Sequence, residues 1–138
     1  MNSEVKVLDA SNISAMQEKW GGPVLEAGWT GIPNALLKHA GALDLDPAET
    51  LTLIYLMRFW WKPGDLPYPS ISKTCLEMGV SRKTMTKKFA SLREKGYIKI
   101  VKQGGKTKFS LDGLRKALIQ QHKIKLEPAN TEDYDIPF

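Results

Sequence analysis

The chain has 138 residues, 42% of them hydrophobic and 25% charged, which is enough for one small domain with a single core and short tails. These figures exclude two full domains. They also exclude a wholly disordered chain, because charge is moderate and aromatic residues reach 9%. The net charge is +5, but it is unevenly spread: residues 1–72 carry −3, residues 73–108 carry +9 and residues 109–138 carry −1.

A stretch that basic repels itself unless a polyanion or solvent compensates it, so nucleic acid is the first partner to consider. A solvated lysine-rich surface is the plain alternative. No apolar run approaches the roughly 20 residues of a membrane span, so no membrane association is expected. The opening MNSEVKVLDA lacks the basic-then-apolar order of a secretory signal. One cysteine, Cys75, cannot build a disulfide framework or a multi-thiolate zinc site. The expected compartment is the cytoplasm.

Along the chain, Ser14 can cap a short helix through Trp20, which Gly21-Gly22-Pro23 stops. In GWTGIPNALLKHAG, Pro33 suits the first turn of a helix and Gly41 its C-cap. Asp46-Pro47-Ala48-Glu49 has the form of a capping box opening a helix over about 47–61. That helix is apolar nearly all round, with Leu51, Leu53, Ile54, Leu56, Met57, Trp60 and Trp61. It is therefore either covered on all sides or carries a face for a partner, and self-association through Leu51–Trp61 is one such use. KPGDLPYP then breaks the helix.

From Ser70 the signals tighten. Ser70 caps a helix with Ile71, Cys75 and Met78 on one face, Gly79 ends it, Val80 plugs the turn and Ser81 caps the next helix. Met85, Phe89 and Leu92 follow at core spacing until Gly96. YIKIVK and TKFSL alternate as two strands about a QGGK turn, and Asp112 opens a last helix with Leu114, Ala117 and Leu118. After about residue 124 the chain has no usable periodicity and reads as a disordered acidic tail.

The predicted fold class is mainly α with a small β-hairpin. It is a winged helix-turn-helix with extra N-terminal helices, arranged as an N-terminal extension (1–27), the DNA-binding domain (28–124) and a tail (125–138). The first helix of the motif braces the second, whose N-terminal half can enter the major groove, while the hairpin reaches a neighbouring backbone. If Phe89 marks the core side, the opposite face carries Lys83, Lys87 and Ser91, with Arg82 and Thr86 flanking it. The helix start at Ser81 offers a positive dipole to a phosphate. Lys102, Lys106 and Lys108 are expected to cluster on the wing for non-specific phosphate contacts. Tyr97, Tyr68 or Trp61 can stack bases beside these lysines.

Other motifs reduce to blander readings. Cys75 sits where two helices cross and is read as a buried structural thiol. Gly104-Gly105-Lys106-Thr107 looks like the end of a phosphate loop, but the earlier glycine is replaced by Ile100 and the segment joins two strands. His39 and His122 are isolated, with no second ligand at metal spacing, so no metal is expected. No catalytic pairing is suggested, so neither enzymatic activity nor a cofactor is expected.

Residues 28–102 resemble the winged-helix domains of phage and plasmid replication proteins, namely the phage replication protein O family and the N-terminal domain of DnaD-type primosomal proteins. The resemblance is carried by GWTGIPNALLKHAG, LDPAETLTLIYLMRFWW and PSISKTCLEMGVSRKTMTKKFASLREKGYIKI. The last of these runs is shared by many winged-helix regulators, and the Trp29-to-Asn34 stretch is what points to replication. A second, helicase-contacting domain of the kind such proteins carry is not expected in this sequence.

Glu132-Asp133-Tyr134-Asp135-Ile136-Pro137-Phe138 resembles the acidic tip of bacterial single-stranded-DNA-binding proteins. That resemblance implies that Asp133, Asp135, Ile136, Pro137 and Phe138 bind host proteins that recognise such tips, with Phe138 and its carboxylate in a pocket beside a basic residue. The function expected from all this is a DNA-binding accessory protein of mobile-element replication or recombination, on duplex or single-stranded DNA. A sequence-specific transcriptional regulator and a protein-interaction module are the alternatives.

Overall fold

A computed structural model describes residues 10–125 of the chain, with side chains over 13–123. The described chain divides between Thr30 and Gly31 into two units. The first holds helix α1 (Ala10–Trp20) and the short helix α2 (Gly22–Leu25). Helix α1 already runs through Ser14, so Ser14 is an internal residue and not the expected cap. The helix stops at Trp20 as expected, because Gly21 takes a φ of 85°, a conformation that glycine enters without steric cost.

The second unit begins with α3 (Asn34–His39). Pro33 is its N-cap at φ −67° and ψ 135°, one position before the expected first turn, and Ala40 in place of Gly41 is the C-cap. The capping box at Asp46 is present in full. The Glu49 amide donates to Asp46 Oδ1 at 2.6 Å and the Asp46 amide donates to Glu49 Oε1 at 2.9 Å. It opens α4 (Pro47–Met57), which is shorter than the pattern suggested. Trp60 and Trp61 fall in the turn after it. Trp60 packs against the core, while Trp61 is 81% exposed with its indole N–H donating to the Arg58 carbonyl. The apolar run outlasts the helix because Trp60 is drawn inward from a turn, so Leu51–Trp61 is not one helical face.

The helix-turn-helix is α5 (Ile71–Met78) followed by α6 (Arg82–Glu94). The Ser70 side chain accepts from the Lys73 amide, and the Ser81 side chain accepts from the Thr84 amide. Gly79, at φ 71° and ψ 33°, ends α5 in the left-handed conformation that a Gly-Val-Ser turn requires. Met85, Phe89 and Leu92 are buried, with Val80 and Ile71 packed beside them. Cys75 is buried as expected.

Strands β1 (Lys99–Gln103) and β2 (Lys106–Ser110) pair antiparallel, with Ile100 opposite Phe109, Val101 opposite Lys108 and Lys102 opposite Thr107. The strand starts at Lys99, so Tyr97 and Ile98 precede it. Gly104 and Gly105 make a two-residue turn at φ 58° and 75°, the positive pair that a type I′ hairpin demands. The hairpin docks on the helix-turn-helix through Phe89 and Phe109, whose ring centroids are 4.8 Å apart.

Helix α7 (Asp112–Lys125) closes the core with Leu114 and Leu118 and packs beside α3. Its start fits only glycine at 113, because a Cβ there would lie 1.9 Å from the Gly96 carbonyl oxygen. No helix among the described residues is long and apolar enough to cross a membrane.

Candidate nucleic-acid interface

Helix α6 owes its orientation to a polar network as much as to its apolar stripe. Glu49 on α4 is only 2% exposed, and its carboxylate accepts from the Asp46 amide, from Ser91 Oγ and from Lys95 Nζ at 2.9 and 3.0 Å. Lys88 Nζ donates to Asp46 Oδ2 at 3.0 Å. Burial pushes the Glu49 carboxyl upward, yet the hydrogen bonds from Ser91, Asp46 and Lys95 outweigh it and hold the group below its ordinary value. Asp46 is also held low, by the Glu49 amide and then by the hydrogen bond from Lys88. The Lys95 ammonium is raised, chiefly by its hydrogen bond to Glu49.

This network sorts the charges of the basic stretch. Lys88 and Lys95 are turned onto carboxylates of α4 and its cap, while the remaining cations of residues 73–108 form no ion pair among the described residues. It also corrects the expected place of Ser91. That side chain is half-buried and bonded to Glu49, so it does not stand with Lys83 and Lys87. The outward face of α6 consists of exposed Lys83, Thr86 and Lys87, flanked by Arg82, whose Nη1 donates to Ser72 Oγ at 2.8 Å across the turn. The Thr86 hydroxyl donates to the Arg82 carbonyl and Ser81 caps the helix, so these two shape the helix start.

The wing lysines divide between two faces. The strand pleat puts Lys106 and Lys108 on one side and Lys102, opposite Thr107, on the other with Phe109. Lys102 Nζ donates to Thr107 Oγ1 at 3.0 Å. On the other side, Lys106 and Lys108 place their ammonium groups 4.8 and 5.8 Å from the centre of the Tyr68 ring. Period-two alternation was visible in the sequence and would have separated Lys102 from its neighbours. The approach of Tyr68 has no sequence signal, because it joins residues about forty positions apart.

Among Tyr68, Tyr97 and Trp61, only Tyr68 has wing-lysine ammonium groups over its ring among the described residues. The Tyr97 hydroxyl donates to the Leu43 carbonyl at 2.7 Å, and its ring packs against the core. Trp61 folds back onto Arg58. His39 and His122 are not isolated as expected, since their ring centroids are 6.0 Å apart. No group of three or more metal-ligating side chains occurs among the described residues. The tail residues Asp133, Asp135, Ile136, Pro137 and Phe138 lie outside the described residues.

The comparisons with known proteins agree with this geometry. A family model described as a helix-turn-helix domain matches residues 43–98, from the loop before α4 to the end of the turn after α6. The search of curated proteins returns no match. Among solved structures, the N-terminal domain of the DnaD protein from Geobacillus kaustophilus HTA426 superposes with a TM-score of 0.60 at 22% identity, covering 86% of this chain and 94% of that one. This chain therefore carries a helix-turn-helix domain with a wing, in the fold of that DnaD N-terminal domain.

Proposed function

We propose that the protein binds DNA through the outward face of α6 and the wing, as an accessory factor in replication or recombination of a mobile element. One observation carries the reading: Arg82, Lys83, Lys87, Lys106 and Lys108 keep their charge uncompensated by carboxylates among the described residues, on the two elements with which a winged helix meets DNA. Cations held on rigid elements and left without carboxylate partners release counterions when they meet phosphate, and that release drives binding. The roles are those expected from the sequence. Lys83 and Lys87 meet backbone or base edges, Arg82 and Thr86 sit at the entering end, Ser81 caps the amides that face a phosphate, and Lys106 and Lys108 hold backbone from one face of the wing, with Lys102 reaching backbone from its other face. Ser91 is left out, since it is committed to Glu49.

The replication context rests on the sequence resemblance of residues 28–102 and on the shared DnaD-type fold. The test is a salt titration of binding. Lys83→Ala, Lys87→Ala and Lys106→Ala together will lower the slope of log affinity against log salt by about three phosphate equivalents. Thermal stability will hold, because all three side chains are exposed. A triple variant that binds as the parent does at every salt concentration refutes this site.

The second element of the proposal is the acidic segment. Residues 132–138 would recruit host proteins that bind the tips of single-stranded-DNA-binding proteins, with Ile136, Pro137 and Phe138 as the apolar anchor. A peptide of residues 132–138 will compete with an authentic tip for such a host protein. Deleting Asp135 to Phe138 will abolish capture of that protein while DNA affinity holds or rises slightly. Failure of the peptide to compete removes the recruiting role and leaves a DNA-binding domain.

A further inference from the structure

Tyr68 stands outside the buried core, on the side of the wing that carries Lys106 and Lys108. It is 49% exposed, and its hydroxyl makes no hydrogen bond among the described residues. Yet the backbone around it is held firmly. Pro67 and Pro69 are both buried, and the Pro67 carbonyl accepts from the Phe109 amide of β2 at 2.9 Å. Two prolines with fixed φ and a strand hydrogen bond thus project one aromatic ring outward from the wing. Beside it lies a shallow hollow of about 240 Å³ lined by Gln103, Gly104, Lys106 and Lys108. The two lysine ammonium groups lean over the ring with no carboxylate to draw them elsewhere.

We propose that Tyr68, Lys106 and Lys108 form a subsite for an unpaired nucleotide, which gives the domain a preference for DNA containing a melted or single-stranded stretch. The inference rests on the DNA-binding reading above and specifies which state of DNA the wing takes. An aromatic ring offers nothing to a phosphate that a lysine does not offer better. What it offers is a flat face for a base, which a duplex keeps inside its stack and a single strand exposes. A base that stacks on Tyr68 replaces the ammonium groups over the ring, and these then meet the phosphates on either side of that nucleotide. The ring is already fixed by its two prolines, so little conformational freedom is lost on binding.

The experiment compares the parent, Tyr68→Ala and Tyr68→Phe on a blunt duplex and on the same duplex with a short internal bubble, by fluorescence anisotropy. The parent will bind the bubble more tightly than the blunt duplex. Tyr68→Ala will weaken bubble binding roughly tenfold, the loss typical of one stacked base, and leave duplex binding unchanged. Tyr68→Phe keeps the flat face and will retain the preference. A 2-aminopurine placed in the bubble will be quenched by the parent and not by Tyr68→Ala, a signal that a purely structural tyrosine would not produce. Equal loss on both probes, or no loss on the bubble, overturns this inference while leaving duplex binding by α6 intact. A parent protein that binds neither probe overturns the DNA-binding reading itself, and this one with it.

Discussion

Phe89→Ala will cost about 3–5 kcal/mol of folding stability. The side chain is 8% exposed and sits where α6 meets the wing, its ring 4.8 Å from that of Phe109 at an interplanar angle of 37°. Truncation removes the apolar transfer energy of the ring, the aromatic pair with Phe109, and the support that keeps the hairpin against the helix. In a domain of this size the loss approaches the whole of the stability, so the thermal midpoint will drop by more than about 10 °C. Lys87→Ala, two positions earlier and facing outward, will change stability by less than about 0.5 kcal/mol. A Phe89→Ala midpoint close to that of the parent would mean that the buried side of α6 is wrongly assigned.

Glu49→Ala will cost about 2–3 kcal/mol, the second largest effect. A buried ion pair contributes little compared with well-packed apolar groups, but removing one partner strands the other. Here Ser91 Oγ loses its acceptor, Lys95 Nζ keeps only the Asp44 carbonyl and the more distant Asp44 carboxylate, and the capping box loses the contact to the Asp46 amide. Lys95 is 28% exposed and can regain water, which keeps the figure below that of a fully enclosed pair. The same network gives the stability a pH profile. Glu49 and Asp46 are both held below their ordinary values of 4.5 and 3.8, so their contribution is complete above those values and is lost as the pH falls through the lowered ones. Lys95 is raised above 10.5, so its contribution is complete below that pH and is lost as the pH rises through the raised value. Thermal midpoints measured from acid to neutral pH will therefore fall on the acid side in the parent. They will fall less steeply in Glu49→Gln, whose amide does not titrate. An identical acid limb in the two proteins would remove Glu49 as its source.

The helix-turn-helix was legible from local chemistry. Ser70, Gly79, Ser81 and Gly96 act within three or four residues of themselves, as caps and left-handed turns, so their meaning survives without knowledge of the rest of the chain. The hairpin followed from alternation about two glycines, and the core side of α6 from the spacing of Met85, Phe89 and Leu92. Where local pattern and local structure parted, a distant group had intervened. Trp60 continues the apolar pattern of α4 but reaches the core from a turn, because burial rewards the indole in either backbone conformation. Ser91 has the helical phase of Lys83 and Lys87 to within part of a turn, and an acceptor on α4 decides which way it goes.

The class of the domain, the order of its elements and the excess of positive charge depend on periodicity, capping and composition, and so are written in the chain. Tertiary structure alone decided which of those charges are available. Lys88 and Lys95 look like their neighbours in the chain, yet they are spent on Asp46 and Glu49, which lie more than forty residues earlier. It also decided that Tyr68, unremarkable in a proline-rich turn, would lie under the ammonium groups of Lys106 and Lys108. Charge pairing and stacking act through distance in space, and contacts between residues forty positions apart leave no period in the sequence from which they could be read.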